Sequence, residues 1–406
     1  MASQILSNIS GFLKQFYVGP IREELNNSSV LHYRFQKNEE DVSGQNLTAY
    51  IPMFYQRNQG IGFRSEGGTL PTAGNRSHVQ AQIGMAYLYG QIAVSGQAIK
   101  GSRDNAYAFA KVIDNEVRGM VEGLKIESNR AWWGDGSGAL AKITQANGSI
   151  TAGNYLTVDN AALLESGMVI DVWTAKTGGT QHMASVVINQ VDRRNNKISL
   201  TTTQTVTQND LIFRENSRGL YPMGLTGLVD GYDSTGALLT TTVQAISRTA
   251  NLWWQGNVLD NAGTLRKLSL TLMQQAFELG EIIGQGRCSV ILSTYALRRS
   301  YLDLEVADRR FVDKMVLDGG FSALEYSGGG EPVPMVVDYM APANQMWFLD
   351  ERTFAIYRAS DYDWMDLDGA VLRKSLGVDQ YEATAYAYMN LGCTAANKNS
   401  VMRDVQ

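Results

Sequence analysis

The feature that most constrains this chain is a pair of alternating apolar segments separated by a glycine-rich stretch and followed by a long helical pattern. The apolar residues at every second position are Leu47, Ala49, Ile51, Met53 and Tyr55 before the stretch, and Val79, Ala81, Ile83, Met85, Tyr87 and Tyr89 after it. A period of two predicts half-buried β-strands. The five glycines from Gly60 to Gly74, together with Pro71, predict a loop between the strands. The sequence therefore predicts a β-hairpin whose tip has no core of its own.

The length of this hairpin indicates that it is not self-contained. Arms of roughly twenty residues would extend about 65 Å, whereas a compact chain of 406 residues has a radius of gyration of about 22 Å. An isolated two-stranded hairpin is only marginally stable in water. We therefore expect the hairpin to project beyond its own subunit and to be completed by another molecule, as in a protein built to assemble.

A long amphipathic helix is predicted from just after Ser102 to about Trp133. Its apolar stripe comprises Phe109, Ile113, Val117, Met120, Val121 and Leu124, and the opposite side is polar, so one face lies on a sheet. Gly119 and Gly123 each cost about 1 kcal/mol relative to alanine in a helix interior. Their presence predicts that another backbone passes close to the helix at that point, with a tolerated kink as the alternative.

A second amphipathic helix is predicted at the beginning of the chain. The apolar residues at helical spacing are Ile5, Leu6, Ile9, Phe12, Leu13 and Phe16, and Lys14 is the only charge among them and their neighbours. Helices that lie on membranes usually carry several basic residues. The pattern therefore predicts docking on a neighbouring protein surface, with Phe12 and Phe16 as contact residues.

The composition limits the class of protein. A hydrophobic fraction of 44% indicates a folded core and allows two or three domains. The net charge of -5 argues against binding nucleic acid through a basic face, so contact with nucleic acid is expected to be weak. No apolar run is long enough for a membrane span, and the first residues lack a signal-peptide pattern, which predicts a protein that stays in the cytoplasm where it is made. Cys288 and Cys393 are expected to be buried free thiols.

The remaining chain reads as an inserted β module followed by an α+β region. From about residue 145 to 217, short β segments separated by turn signals every ten or so residues predict a small antiparallel barrel or sandwich, with a hairpin turn at 193–196. After it, a helix is predicted from Ser269 to Ile283, a second helix is predicted to be capped by Ser293, and core strands are predicted at 288–292, 333–339 and 346–350. The tail from 382 to 395 alternates like a sheet strand.

Enzyme chemistry has little support in the sequence. The three histidines, His32, His78 and His182, fall in different modules, and neither a phosphate-binding Gly-Lys loop nor a G-x-S-x-G elbow occurs. A G-x-G-x-x-A pattern at 136–141 follows a helix, whereas the dinucleotide-binding fingerprint follows a strand. No enzyme activity and no cofactor are therefore predicted.

One acidic segment remains a candidate metal site. Four carboxylates occur within eight residues, Asp361, Asp363, Asp366 and Asp368, and carboxylate oxygens are suitable ligands for calcium. The segment departs from the EF-hand pattern, because Met365 and Leu372 stand where oxygen ligands are required. A solvated acidic loop is the alternative interpretation.

The order of elements resembles a tailed-bacteriophage major capsid protein of the Hong Kong 97 fold, which herpesvirus capsid floors and encapsulins share. The segments at 251–280 and 291–305 are similar to the beginning of the axial A-domain in that family. The resemblance implies an α+β fold in six parts: an N-terminal arm with an amphipathic helix (1–40), an extended E-loop with flanking strands of the peripheral P-domain (41–100), the P-domain spine helix (101–143), an inserted small β-barrel domain (144–218), the A-domain (219–378) and a C-terminal strand returning to the P-domain (379–406).

The resemblance also implies a function. A protein of this family assembles with itself into hexamers and pentamers, which form an icosahedral shell around double-stranded DNA without sequence-specific binding. The projecting hairpin would then lie over an adjacent subunit, and the candidate contact residues near its tip are Arg57, Arg64, Glu66 and Arg76, with ordinary solvated charges as the alternative. Some relatives crosslink their shells through an E-loop lysine, but no lysine occurs here between Lys37 and Lys100. Cohesion without covalent crosslinks is therefore expected.

Partners and rivals follow from the same resemblance. About forty residues precede the E-loop, so scaffolding is expected from a separate protein, with a portal and a cement or decoration protein as further partners. The nearest rival is an encapsulin-like shell around protein cargo. The rival from another class is a calcium-dependent surface enzyme that uses the segment from Asp361 to Asp368.

Overall fold

The computed structural model describes residues 30–38, 42, 47–97, 106–232, 238, 241–307, 314–316, 322–328, 331–366 and 371–406. The predicted N-terminal helix, with Phe12 and Phe16, lies outside these residues, as do Ser102 and Asp368. No helix in the described ranges combines the length and the apolar character needed to cross a bilayer.

Helices and strands alternate irregularly along the chain. The α-helices are α1 (Val30–Arg34), α2 (Ala106–Trp133), α3 (Leu225–Leu228), α4 (Leu270–Gly284) and α5 (Tyr295–Ala307). The strands are β1 (Gln36–Asn38), β2 (Thr48–Gln56), β3 (Ser77–Gly84), β4 (Ala86–Ser95), β5 (Ala139–Lys142), β6 (Gly148–Ile150), β7 (Tyr155–Thr157), β8 (Val169–Trp173), β9 (Gln181–Asp192), β10 (Lys197–Leu200), β11 (Gln204–Val206), β12 (Leu211–Arg214), β13 (Thr242–Val243), β14 (Ile246–Ser247), β15 (Asn257–Leu259), β16 (Val290–Ser293), β17 (Lys314–Val316), β18 (Ser322–Tyr326), β19 (Val333–Val337), β20 (Met346–Leu349), β21 (Phe354–Trp364), β22 (Arg373–Lys374), β23 (Gln380–Cys393) and β24 (Ser400–Met402).

The first sheet carries the long helix. Its strands are β1, β21, β23 and β22, with β4 paired to β23. Strand β23 alternates buried and half-exposed side chains, which confirms the strand predicted in the tail. Helix α2 packs on β4 so closely that a Cβ at Gly90 would lie 3.0 Å from Cγ of Met120 and 3.2 Å from Cδ1 of Leu124. The predicted helix lying across a sheet is therefore confirmed.

A seven-stranded sheet forms the second body, in the order β15-β24-β20-β16-β19-β18-β17. Helix α4 begins where it was predicted, because Oγ of Ser269 accepts a hydrogen bond from the backbone N–H of Leu272. The predicted cap of α5 was wrong by one residue. Oγ1 of Thr294 accepts from the N–H of Leu297 at 3.4 Å, whereas Ser293 is the buried last residue of β16.

Two strands lie in different sheets from those expected. Strand β21 falls in the range 219–378 but pairs with β23 in the first sheet. Strand β24 falls in the range 379–406, which was expected to return to the first sheet, but it pairs with β15 and β20 in the second. Both differences have one cause: sheet membership depends on partners far away in the chain, which local periodicity does not encode.

Residues 139–214 fold as a separate β module with its own core. Its six-stranded sheet has the order β5-β12-β8-β9-β10-β7, and a further pair, β6 and β11, lies beside it. The two edge strands continue toward each other, since Ile143 bridges Val158 and the N–H of Asp159 donates to the carbonyl of Lys142 at 2.9 Å. The predicted turn at 193–196 is confirmed: Oδ1 of Asp192 accepts from two N–H groups of the turn.

Candidate assembly surface

The base of the hairpin is buried in its own subunit. Strands β2 and β3 pair from Thr48 opposite Gly84 to Gln56 opposite Ser77. Ala49 and Ala81 are completely buried and Met53 is 3% exposed. The expectation that another molecule must cover the apolar face is therefore wrong for this half. The expected length was also too large, because β2 has 9 residues and the second half of the returning segment belongs to β4.

Three contacts hold the hairpin against the rest of the chain, two at its outer end and one near its base. The ring of Tyr55 stacks on Trp253 with 5.2 Å between centroids. The guanidinium of Arg57 donates to Oε1 of Gln285 at 3.0 Å, and the N–H of Gln82 donates to the carbonyl of Gln244 at 3.0 Å. The hairpin therefore has a defined direction within the subunit.

Residues 57–76, here called the tip segment, contain no helix or strand. At the neck of the tip segment, the outgoing and returning sides of the hairpin approach closely. A Cβ on Gly60 would lie 2.9 Å from the backbone N of Gly74. Only glycine fits there, which explains part of the glycine-rich composition. Beyond the neck, Ile61, Phe63 and Leu70 are 83%, 104% and 81% exposed. Apolar side chains so fully exposed on one segment mark a surface for another molecule.

The four charged residues predicted near the tip have different surroundings. Besides Arg57, whose partner is Gln285, Arg76 lies over the ring of Phe54 at 4.0 Å from its centroid. Arg64 donates to the carbonyl of its neighbour Phe63 at 3.2 Å, and Glu66 is exposed. Three arginines and one glutamate make the tip segment basic within an acidic chain.

A groove of about 1030 Å³ opens on the other side of the hairpin base. One wall is the run of residues 84–92 in and before β4, another is α2, and the third is the segment 214–222 that follows the β module. Gly119 and Gly123 line it, and a Cβ on either would meet nothing within 4 Å. The prediction that a backbone of the chain passes close to these glycines is therefore wrong for the described part of the subunit.

The third wall is held in place by a cluster around Glu127 of α2. Its carboxylate accepts hydrogen bonds from Arg214 at 3.0 Å and from the hydroxyl of Tyr221, and it pairs with Arg130. Arg130 also donates to the carbonyl of Leu163 at 2.7 Å in the β module. Burial raises the pKa of Tyr221, so its hydroxyl stays protonated and continues to donate. The cluster fixes the β module to the end of the long helix.

Above this cluster the groove has an acidic rim. Glu116, Glu165 and Glu215 line it, and none of the three forms an ion pair with another described residue. Tyr87 and Tyr89 add two half-exposed aromatic rings, which contact Tyr388 edge-on. The half-exposed Arg214 also lines the groove, so its charge is mixed.

The acidic segment of the sequence does not form the expected loop. Asp361 and Asp363 lie in β21, and Oδ2 of Asp361 is 2.6 Å from Nη1 of the buried Arg358. Asp366 follows the strand, and Asp368 lies outside the described residues. Among the described residues, no group of three or more histidine, cysteine or acidic side chains could hold a metal ion.

The described histidines and cysteines lie apart from one another, each in different surroundings. Nδ1 of His32 accepts from the indole N–H of Trp132 at 3.2 Å, and Nδ1 of His182 lies 2.6 Å from Asp210 within the β module. Cys288 and Cys393 are free and buried, as predicted.

Comparison with known proteins identifies the fold. No family model and no curated protein matches the sequence. The capsid asymmetric unit of cyanophage A-1(L) is similar over 92% of this chain and 90% of that chain, with 16% identity and a TM-score of 0.50. The capsid of a native GTA particle is similar over 94% and 91%, with 11% identity and a TM-score of 0.50. An encapsulin from Synechococcus elongatus matches over 92% and 85%, with 7% identity and a TM-score of 0.44.

The likenesses to the cyanophage and GTA capsids and the element order agree on one fold. The chain has the α+β Hong Kong 97 capsid fold, so the resemblance in the sequence is confirmed at the level of fold. Sequence reasoning located the tip segment but missed the groove. The available signal was the pair of glycines in α2, which have no packing partner within 4 Å among the described residues.

Proposed function

We propose that this chain is the major capsid protein of a tailed bacteriophage. It assembles into hexamers and pentamers, and these form an icosahedral shell around double-stranded DNA. The role is structural and involves no catalytic step. The supporting observation is the tip segment, because a subunit with the capsid fold that exposes Phe63 and Leu70 on a firmly anchored hairpin is shaped for contact with a neighbour.

The shell is held without covalent crosslinks. The tip segment contains no lysine, so hydrogen bonds, apolar burial and the charges of Arg64 and Glu66 supply the cohesion, together with contacts from the arm at 1–40. Interfaces that bury more than about 2,000 Å² are typical of obligate assemblies and need no covalent help. The parts implied by the resemblance, including a small β-barrel at 144–218, belong to this proposal, except that β21 joins the first sheet and β24 the second.

Partners follow from the same role. A separate scaffolding protein directs the assembly, a portal occupies one vertex, and a cement or decoration protein is a further candidate. The shell encloses DNA without reading its sequence, in keeping with the net charge of -5. Assembly takes place in the cytoplasm of the host bacterium, and the final location is the virion.

The test is electron microscopy and sizing of the purified protein. Wild type is compared with a variant in which residues 58–75 are replaced by a short Gly-Ser linker, and with Phe63→Ser/Leu70→Ser. The matched control is Tyr155→Ser/Leu265→Ser, which removes two exposed apolar side chains elsewhere. We expect shells or capsomers from wild type and control, and their loss in both tip variants. A wild type that stays monomeric with its scaffolding protein present would overturn the proposal.

A further inference from the structure

Two segments of the β module carry no charged residue. Residues 143–158 and 198–209 together number 28 and include no Asp, Glu, Lys or Arg, whereas the charged fraction of 18% in the whole chain would place about five there. The surfaces of soluble proteins are usually rich in these four residues, because charges keep a surface hydrated and prevent association. The absence of charge from both segments therefore needs another explanation.

The two segments lie side by side in the fold. At one end, the N–H of Asn209 donates to the carbonyl of Ile143 at 2.8 Å. In the middle, β6 pairs with β11 and places Ser149 opposite Thr205. At the other end, β7 pairs with β10. These contacts join the segments into one surface, here called the neutral strip.

The neutral strip is exposed and its side chains are short. Most of its exposed side chains end in hydroxyl or amide groups, among them Ser149, Thr151, Asn154, Thr202, Thr205 and Gln208. Gly148 lies in β6, and a Cβ there would meet nothing within 4 Å. A glycine inside a strand often marks a place where a ligand comes close to the backbone. The strip therefore offers many uncharged hydrogen-bonding groups on a surface of low relief.

One aromatic ring stands at the end of the strip. Tyr155 is 47% exposed, and it is the only large apolar side chain that is exposed among residues 139–214. Its hydroxyl donates to Oε1 of Gln190 at 3.1 Å, which fixes the position of the ring. Ser199 stands between these two residues in the sheet, and its buried Oγ has no hydrogen-bond partner among the described residues. One polar group in this row is therefore unused.

The composition of the strip argues against most kinds of partner. Nucleic acid and acidic lipid are bound through basic side chains, and protein interfaces are built around an apolar core. The strip has neither of these features. Sugar hydroxyls are uncharged donors and acceptors, and the C–H face of a sugar ring packs on an aromatic ring. An uncharged glycan therefore matches both the hydroxyl and amide groups and the single tyrosine.

We propose that the neutral strip binds an uncharged polysaccharide. One sugar ring stacks on Tyr155, and further rings accept and donate hydrogen bonds along the hydroxyl and amide groups. The ligand is a polymer because the strip extends over two strand pairs, β7–β10 and β6–β11, an area larger than one sugar ring. This inference goes beyond the proposed function and does not depend on it, since a single subunit carries the whole strip.

The test is the binding of the full-length protein to immobilised dextran, mannan and galactan, measured by biolayer interferometry. We expect binding to at least one of these uncharged polymers, weak competition by the corresponding monosaccharide, and no binding to dextran sulfate. The affinity should be the same at low and high salt, because no charges take part. Failure to bind any of the three polymers, or tighter binding to dextran sulfate than to dextran, would overturn the inference.

Two variants locate the site. Tyr155→Ala removes the ring, and Thr205→Lys places a cation in the strip, so each should weaken binding by about fivefold. The matched controls are Tyr295→Ala and Thr264→Lys, which make the same changes at exposed positions outside the β module and should bind like wild type. Unchanged binding by both strip variants would refute the strip as the site. Assembly is followed on the same proteins, and a failure of wild type to assemble would count against the capsid role alone.

Discussion

The ring of Tyr55 lies parallel to the indole of Trp253, with 7° between the planes and 5.2 Å between the centroids. This stacking connects the end of β2 to the segment before β15, about two hundred residues further along the chain. It fixes the direction in which the tip segment leaves the subunit.

Removal of the stacking should loosen the hairpin. Stacked aromatic pairs contribute about 0.5–1.5 kcal/mol beyond the area that they bury. We expect Tyr55→Ala to lower the free energy of unfolding by about 1 kcal/mol and to speed amide exchange in residues 49–56. Tyr55→Phe should leave both unchanged, because it keeps the ring. Equal effects of Tyr55→Ala in the presence and absence of Trp253→Ala would contradict the stacking.

The two helix glycines provide a stability prediction that does not depend on assembly. Alanine is favoured over glycine in a helix by about 1 kcal/mol, and a Cβ at Gly119 or Gly123 would meet no atom of the described residues within 4 Å. Gly119→Ala and Gly123→Ala should each raise the unfolding free energy of the subunit in urea by about that amount. Gly90→Ala is the contrasting control. It should be destabilising, because its Cβ would press on Met120.

The cluster around Glu127 should be essential for the stability of the groove wall. Removal of one charge from a buried pair costs about 3–5 kcal/mol, because the partner is left uncompensated. We expect Glu127→Gln to lower the unfolding free energy by about 3 kcal/mol and to increase proteolysis within 214–222. Glu122→Gln, on the exposed side of the same helix, should change it by less than about 0.5 kcal/mol. Similar losses of unfolding free energy in the two variants would show that the ion pairs of Arg130 and Arg214 with Glu127 do not stabilise the subunit.

The buried thiols should make the fold sensitive to alkali. Burial raises the pKa of Cys288 and of Cys393 to about 12, from an ordinary value of 9.0. In the unfolded chain the thiols ionise near pH 9, so stability is complete below that pH and is lost as the pH rises toward 12. Urea midpoints measured at pH 8, 9.5 and 10.5 should fall more steeply in wild type than in Cys288→Ala/Cys393→Ala. Equal dependence of the urea midpoint on pH in the two proteins would contradict the raised pKa of the buried thiols.

Calcium should have no effect on the fold. The carboxylate of Asp361 is already paired with Arg358, which is 4% exposed. We expect the same melting temperature in millimolar CaCl₂ and in EDTA. Asp361→Asn should lower the unfolding free energy by about 3 kcal/mol, because it removes the carboxylate charge that faces the buried Arg358, and Asp303→Asn on the surface of α5 serves as its control. A calcium-dependent rise in melting temperature that disappears in Asp361→Asn would instead support a calcium site in the acidic segment.

Part of the assembly surface was predictable from the sequence. The glycines and polar residues around Phe63 indicated an irregular tip. The prediction from Gly119 and Gly123 that another backbone passes close to the helix was wrong for the described residues. The groove itself was not predictable. Its walls come from β4, α2 and the segment after the β module, and no local pattern shows that these three meet.

The sequence by itself determined the elements, because apolar periodicity is a local property. The alternation in β23 and the stripe of α2 each identify the structure and its buried face within one segment. Only the tertiary structure decided which sheet receives β21 and β24, and that the hairpin base is buried on its own subunit. Those outcomes depend on hydrogen-bond partners and side-chain contacts between residues far apart in the chain, such as Tyr55 and Trp253.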